Sequence, residues 1–190
     1  MTNFRIKTLK HFNTSGHYHA LTFSCYKNFP LLQRDRTRRW LLESLQKACE
    51  SNRYELLAFV FMPDHVHLIV APSLAQYDIS RLLQSIKQPV AVRARNWLTE
   101  NDDTWLRKLS TTLKNGKTRF HFWQKSGGYD RNITSEKVLR STIHYIHANP
   151  VRKNFADVPT AWKWSSARWY DSACIGSIFE IIEDVTLLKR

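Results

Sequence analysis

Two apolar runs separated by only three residues dominate the middle of the chain. Residues 55–61 read ELLAFVF and residues 65–70 read HVHLIV. Short runs rich in β-branched and aromatic residues are typical of strands. The link at residues 62–64 contains Pro and Asp, which favour a tight turn. The sequence therefore predicts an antiparallel hairpin at the centre of a sheet, and the rest of the chain must pack around it.

The second of these strands begins with two histidines, His65 and His67, one residue apart. Side chains alternate between the two faces of a strand, so both rings share a face with Ile69. A buried polar group without a partner costs about 1–3 kcal/mol, so each ring needs one. Three arrangements meet this need: a solvated sheet edge, hydrogen bonds to neighbouring backbone, or a shared divalent metal ion.

The segments around the hairpin predict further regular structure. Residues 19–26, HALTFSCY, alternate with a period of two and predict a strand. From Asp35, apolar residues recur at helical spacing and predict a first helix. A second helix is expected from Asp78 to about Asn101, and Pro89 should kink it or divide it.

The later part of the chain completes the predicted sheet. Residues 119–124, RFHFWQ, predict another strand, and residues 127–132, GGYDRN, predict the loop that follows it. The order of strand, helix, two strands, helix, strand, helix is typical of the α/β (α+β) class. We expect a ferredoxin-like sandwich, in which a mostly antiparallel sheet carries its helices packed on one face.

The last predicted helix covers residues 135–150, SEKVLRSTIHYIHANP. Thr134 or Ser135 can cap its start, and Pro150 prevents continuation beyond Asn149. The helical period of about 100° per residue predicts an apolar stripe for its core-facing side. That stripe consists of Val138, Leu139, Thr142, Ile143 and Ile146.

The polar residues near the end of this helix divide into two groups. Tyr145 and Asn149 lie one turn apart on one ridge, at the edge of the apolar stripe, where a side chain is neither buried nor free. Such a ridge would present a hydroxyl and an amide together to the rim of the sheet. His144 and His147 lie far around the helix, so we expect them to be solvated rather than metal ligands.

The charge of the chain points to a polyanionic partner. With 29 basic and 16 acidic residues, the formal net charge is +13, which favours nucleic acid. Residues 105–120 contain no acidic residue and are a candidate phosphate-facing segment, although a charge run is usually only a solvated face. Trp123 could stack on a base, but core packing is the stronger prediction. The candidate DNA-binding residues are Arg81, Lys87, Arg93, Arg107, Lys108, Lys117, Arg119, Trp123 and Lys125.

Cysteine usage and hydropathy exclude several protein classes. The three cysteines are far apart and lack a C-x-x-C spacing, which argues against a disulfide framework or a zinc ribbon. The sequence contains no apolar run long enough to span a bilayer, and its first residues lack the apolar core of a signal peptide. We expect one cytoplasmic domain at 1–190 without a membrane partner, including a flexible arm at 1–16 and a C-terminal extension at 174–190.

Several motifs together resemble the single-tyrosine HUH transposases, which are IS200-like, and within them the transposases associated with repetitive extragenic palindromes (REP). The similar segments, in chain order, are HALTFSCYKNFPLL at 19–32, FMPDHVHLIV at 61–70, HFWQKSGGYDRNI at 121–133, YIHANPVRKNF at 145–155 and WKWSSARWY at 162–170. The family's usual MPNHVH reads MPDHVH here, and its frequent GYYDH reads GGYDR.

This resemblance implies a role for each matching residue. His65 and His67 correspond to the metal-binding pair, Asn149 to the third ligand and Tyr145 to the nucleophile. The implied cofactor is a divalent metal, Mg²⁺ or Mn²⁺, because the ligands are nitrogen and oxygen without thiolate. Tyr129 is a rival nucleophile, for which a stacking or packing role is the better prediction.

The implied reaction is metal-dependent cleavage and transfer of single-stranded or hairpin DNA through a 5′-phosphotyrosine intermediate. One alternative is a binding module of the same fold that holds structured nucleic acid without cutting it. Another is a related HUH nuclease of replication or plasmid transfer, although such chains are usually longer and lack a WKWSSARWY segment. The sequence leaves a monomer and a homodimer equally open.

Overall fold

The computed structural model describes residues 13–125, 128–172 and 178–179. Most of the expected arm and of the C-terminal extension lies outside these residues. The strands are β1 (Tyr18–Ser24), β2 (Tyr54–Phe61), β3 (His65–Pro72), β4 (Ser110–Thr112), β5 (Thr118–Phe120) and β6 (Tyr129–Ile133). The helices are α1 (Asp35–Asn52), α2 (Ile79–Asn101), α3 (Asp103–Lys108), α4 (Glu136–His147), α5 (Asn149–Arg152) and α6 (Ala167–Asp171).

Four of the strands form one antiparallel sheet in the order β2-β3-β1-β6. The predicted hairpin is confirmed, since β2 and β3 pair directly across the turn at residues 62–64. Helices α1 and α2 cover one face of this sheet. Their buried side chains pack with Phe23, Leu68 and the other residues of that face in the main core.

The opposite face carries α4, which corrects one part of the predicted architecture. The mixed α/β class and the antiparallel sheet are confirmed, but the helices do not all pack on one face. Ala58, Val60 and Ile69 form a second apolar core with Ile143 and Ile146 of α4. The central strands are apolar on both faces, so each face needs a covering layer.

The fourth strand of the sheet is not the predicted one. Residues 118–120 pair with 110–112 in a separate two-stranded sheet. The Asn115-Gly116 turn folds this segment back on itself, and Gly116 adopts the φ of +76° that favours glycine. The predicted loop instead contains β6, which pairs with β1 at the sheet edge. Its polar sequence, YDRNI, hides the strand because only Ile133 has its side chain in the apolar core.

Three helix predictions also change in detail. Helix α2 runs unbroken from Ile79 to Asn101 with Pro89 inside it, so of the two predicted effects of Pro89, a kink or a division, the division is wrong. Helix α4 ends at His147, and a short helix, α5, begins at Asn149. His147 is buried rather than solvated, because the chain after α5 returns and covers it.

Residues 162–170 close the free edge of β2. The backbone nitrogen of Phe61 donates to the carbonyl of Trp164 at 2.8 Å, and the Tyr170 hydroxyl donates to the carbonyl of Leu57 at 2.6 Å. Trp164 is buried, with its indole nitrogen donating to Asp35 at 2.8 Å. This tryptophan-rich segment therefore satisfies an edge that would otherwise expose unpaired backbone groups.

Candidate functional site

The two histidines of β3 lie side by side on the face that α4 covers. Their cross-strand partners on β1 are Ser24 for His65 and Thr22 for His67. The ring centroids are 4.9 Å apart and the rings are almost perpendicular, at 89°. The predicted sharing of one face is confirmed, and the rings are close enough to address one small ligand together.

Neighbouring side chains hold both rings through the same nitrogen. The Nδ1 atom of His65 lies 2.7 Å from Oδ1 of Asp64, and Nδ1 of His67 lies 2.8 Å from Oγ1 of Thr22. Neither Nε2 atom makes a hydrogen bond within residues 13–125 and 128–172. Second contacts of this kind orient imidazoles that bind metals, and they leave the other nitrogen free.

The protonation state of His67 is that of a metal-binding imidazole. Burial, and to a smaller extent the nearby His65 and Arg152, lowers the pKa of His67 to about 4. At neutral pH the ring is therefore uncharged, which is the form that binds a metal ion.

A cavity of about 510 Å³ opens between this sheet face and α4. His67, Thr22 and Tyr145 line it, together with Tyr129 and Arg131 of β6. Tyr145 is 57% exposed, and its hydroxyl makes no hydrogen bond to the described part of the chain. The His67 imidazole and the Tyr145 phenol therefore line one cavity, as expected from the predicted packing of this helix against the sheet.

Asn149 is more buried than its predicted position on the helix ridge. The residue is only 8% exposed. Its Nδ2 donates to the backbone carbonyls of Tyr145 and Ile146, at 3.3 and 3.1 Å, and its Oδ1 accepts from Arg152 at 2.9 Å. Tyr145, one turn earlier, is exposed, whereas Asn149 is buried.

Tyr129 lies on an edge strand rather than on the predicted loop. Thr22 of β1 pairs with Tyr129 on one side and with His67 on the other, so the three residues form a row across the sheet. Tyr129 is 53% exposed and lines the same cavity as Tyr145. A role in packing the core is therefore excluded for it, while a role in stacking stays a prediction.

Comparison with known proteins places this arrangement in a family. Residues 13–149 match the family model described as Transposase IS200 like, which covers most of the chain. The chain belongs to the IS200-like transposase family. A Haemophilus influenzae protein named as a REP-associated tyrosine transposase is 24% identical over 150 residues, covering 73% of this chain and 77% of that protein. This family assignment makes the chain an enzyme that cleaves and joins DNA.

A solved structure supports the same fold for this transposase. It is described as a REP-associated tyrosine transposase bound to a REP hairpin. The two folds superpose with a TM-score of 0.67 at 19% identity, covering 91% of this chain and 90% of the other. The similarity covers most of both chains, so the predicted resemblance in fold to this family is confirmed.

The predicted DNA-binding residues do not form one surface around the histidines. Arg81, Lys87 and Arg93 belong to α2, on the opposite face of the sheet. Lys87 packs over the Phe23 ring, where burial lowers its pKa to about 8, and Arg93 pairs with Glu43. These three side chains are therefore separated from the candidate site of the transposase by the sheet.

The remaining predicted residues lie around the small β4-β5 sheet. Arg107 pairs with Asp103 at 2.8 Å, and Lys108 lies over the rings of Phe29 and Trp105. Trp123 is buried, and its indole nitrogen donates to the carbonyl of Lys87 at 2.9 Å, which confirms the favoured prediction of core packing over base stacking. The predicted residues Lys117, Arg119 and Lys125 are also exposed.

Sequence reasoning missed four residues that the structure brings to the site of the transposase. Thr22 and Asp64 hold the histidine rings, Arg131 lines the cavity, and Arg152 contacts both Tyr145 and Asn149. The spacing of residues 145, 149 and 152 is close to helical and could have indicated Arg152. Thr22 and Arg131 gave no local signal, because only strand pairing brings them to this face.

Proposed function

We propose that this transposase cuts and rejoins single-stranded DNA with Tyr145 as the nucleophile and His65, His67 and Asn149 as the ligands of a divalent metal ion. The observation that carries the proposal is the cavity in which the Tyr145 phenol and the His67 ring meet. The Tyr145 phenol is solvent-accessible and makes no hydrogen bond within the described residues. A nucleophile must be accessible in this way to reach a phosphorus atom.

The residues at the histidine pair fit a metal ion. Both Nε2 atoms are available, and both Nδ1 atoms are held by Thr22 and Asp64. The Oδ1 atom of Asn149 accepts from Arg152 but has a second lone pair. When bound, Mg²⁺ or Mn²⁺ would neutralise phosphate charge and polarise a non-bridging oxygen. Ligands of nitrogen and oxygen without thiolate suit these ions.

The reaction follows from the chemistry of a phenol. The Tyr145 oxygen forms a bond to phosphorus while its proton passes to solvent, and the bond from phosphorus to the 3′ oxygen breaks as that oxygen takes a proton from solvent. The protein is then joined to the 5′ phosphate, and the other strand end carries a 3′ hydroxyl. A second 3′ hydroxyl can attack the phosphotyrosine bond and restore a DNA linkage. No nucleotide hydrolysis is required, since the ester keeps the energy of the original bond.

A folded single strand is the substrate that we infer. The similar solved transposase was described with a REP hairpin bound. The net charge of +13 favours association with such a polyanion. Three exposed cations, Lys117, Arg119 and Lys125, are the best candidates for contacts to its phosphates.

Covalent trapping tests the proposed nucleophile. Wild-type protein with Mn²⁺ and a labelled oligonucleotide, a hairpin with a single-stranded flank, should form an adduct that survives denaturing electrophoresis. Tyr145→Phe should form none, because it removes only the hydroxyl. Its affinity for the same hairpin should stay within several-fold of the wild type, since the ring remains.

Tyr129→Phe is the matched control, because Tyr129 is equally exposed and lines the same cavity. This variant should still form adduct. Adduct retained in Tyr145→Phe and lost in Tyr129→Phe would reassign the nucleophile. Tight hairpin binding by wild-type protein without any adduct would favour the alternative function, a module that binds structured DNA without cutting it.

A further inference from the structure

Arg152 makes three contacts around the proposed nucleophile. Its Nη2 atom donates to the backbone carbonyl of Tyr145 and to Oδ1 of Asn149, each at 2.9 Å. The central carbon of its guanidinium lies 4.1 Å from the centroid of the Tyr145 ring. A guanidinium at this distance over an aromatic face is attracted to the ring. Arg152 therefore contacts both the ring and the backbone of one residue.

The local fold explains how Arg152 reaches this position. The helix breaks between α4 and α5, and Pro150 lies in the first turn of α5. The side chain of Asn149 donates to two carbonyls at the end of α4, which fixes the break. Arg152, at the end of α5, is thereby directed back along α4 toward Tyr145.

The exposure of Tyr145 indicates what the contact with Arg152 does. The ring is 57% exposed, so packing against the core does not fix its orientation. One guanidinium thus contacts the ring of Tyr145 and the amide oxygen of Asn149.

We propose that Arg152 is a positioning residue that holds the Tyr145 ring in the orientation from which its phenol attacks the phosphate. The proposal rests on the proposed function of Tyr145. It assigns Arg152 to the chemical step and not to DNA affinity. A planar guanidinium is suited to this task because it can stack on the ring and donate to two oxygens at once.

Two other roles for Arg152 make different predictions. The first role is that of a helix cap: Arg152 donates to a carbonyl near a helix end, and its loss would affect stability but not the reaction rate. The second role is neutralisation of the phosphate charge by the guanidinium. The experiment must therefore separate orientation from stability and from phosphate charge.

The test compares Arg152→Ala and Arg152→Lys with the wild type. Adduct formation is timed at saturating hairpin DNA with a single-stranded flank, and hairpin affinity and thermal unfolding are measured on the same proteins. Arg152→Ala should slow adduct formation about a hundredfold, since a displacement of about 1 Å of a reacting group costs that much. Hairpin affinity should stay within about threefold, because no DNA contact is removed.

The rate of adduct formation in Arg152→Lys should lie between those of the wild type and Arg152→Ala, since an ammonium keeps a positive charge over the ring but lacks the planar guanidinium fork. Lys153→Ala is the matched control, because it removes an exposed charge from the next residue, and it should react at the wild-type rate. Replacing the scissile phosphate by a neutral methylphosphonate should leave the loss in Arg152→Ala unchanged, if orientation is the cause.

Each contrary result has one meaning. A wild-type rate in Arg152→Ala overturns the inference alone, and so does a loss that vanishes on the methylphosphonate. A lower unfolding temperature with an unchanged rate assigns Arg152 to the helix cap and also overturns it. Absence of adduct in the wild type overturns the proposed function, and this inference with it.

Discussion

The two histidines of β3 look equivalent in the sequence but are held by different partners. His67 contacts the hydroxyl of Thr22, whereas His65 contacts the carboxylate of Asp64. Asp64 stands where the resembling motif usually has an asparagine. A carboxylate that accepts from an imidazole makes the opposite nitrogen a stronger metal ligand. A single departure from the motif is therefore connected directly to the proposed metal site.

Asp64→Asn should weaken metal binding without affecting the fold. An amide oxygen can still accept a hydrogen bond from Nδ1 of His65, but it carries no charge to strengthen the ligand. Affinity for Mn²⁺, measured by calorimetry, should fall by about tenfold, the lower end of the effect of second contacts. His65→Ala should lose most of the affinity and serves as the reference. Unchanged Mn²⁺ affinity in Asp64→Asn would contradict the role of the carboxylate.

At the scale of elements, β6 is a polar strand that a buried hydrogen-bond chain holds in place. Asp130 of β6 lies 2.8 Å from Nδ1 of His19 in β1, and both side chains are completely buried. Nε2 of His19 lies 2.8 Å from the Tyr77 hydroxyl, which donates to the carbonyl of Thr14. This chain links β6 to the sheet centre and so fixes the side of the cavity that Tyr129 lines.

Asp130→Ala should destabilise the protein, because it removes the carboxylate that pairs with the buried His19. The expected loss is about 1–3 kcal/mol in the free energy of unfolding, measured with urea. Asp103→Ala provides a comparison, because its ion pair with Arg107 is largely exposed and such pairs contribute little. Equal effects of the two substitutions would show that the buried chain does not hold β6.

At the scale of the whole molecule, basic residues occur on both sides of the sheet. The net charge is +13, but the cations of α2 lie opposite the histidine face. Some of the cations are engaged within the protein, as in the pair of Arg93 with Glu43. The total charge therefore overstates the number of residues available to DNA, and direct contacts must be assigned one by one.

Among the described helices, none is long and apolar enough to cross a membrane.

Binding of a single-stranded oligonucleotide should weaken steeply with salt. Each phosphate contact contributes about −0.7 to the slope of log affinity against log salt concentration for single strands. The double variant Lys117→Ala, Arg119→Ala should flatten this slope by about 1.4 if both residues contact phosphates. Arg39→Ala with Lys47→Ala removes the same charge from the exposed side of α1 and should leave the slope unchanged. Equal slopes in both double variants would remove the β4-β5 sheet from the DNA surface.

The stability of the whole molecule should fall in mild acid. Burial lowers the pKa of His67 and of His147 from 6.5 to about 4. As the pH falls below 6.5, these two histidines bind protons in the unfolded chain but stay neutral in the folded protein. The stabilisation present above pH 6.5 is therefore lost as the pH approaches 4. Urea unfolding at a series of pH values should show this decline. His147→Gln should make the decline shallower, and an identical pH profile in that variant would contradict the assignment.

The sequence determined the features that depend on neighbours along the chain. The β2-β3 hairpin, the shared face of His65 and His67, and the helix carrying Tyr145 all follow from local periodicity and turn residues. The same local signals misjudged β6, because a five-residue polar strand at a sheet edge shows little apolar alternation. They also allowed either a kink or a break at Pro89, where α2 continues as one helix.

Only the tertiary structure decided how those parts meet. Because the central strands are apolar on both faces, the sequence did not show that α4 packs on the face opposite α1 and α2. The burial of Asn149 and the exposure of Tyr145 also depend on which elements pack around the end of α4. Thr22 reached His67, and Arg152 reached Tyr145, through strand pairing and chain reversal. Periodicity sets which way a side chain points within its own element, whereas these contacts depend on the packing of elements distant in sequence.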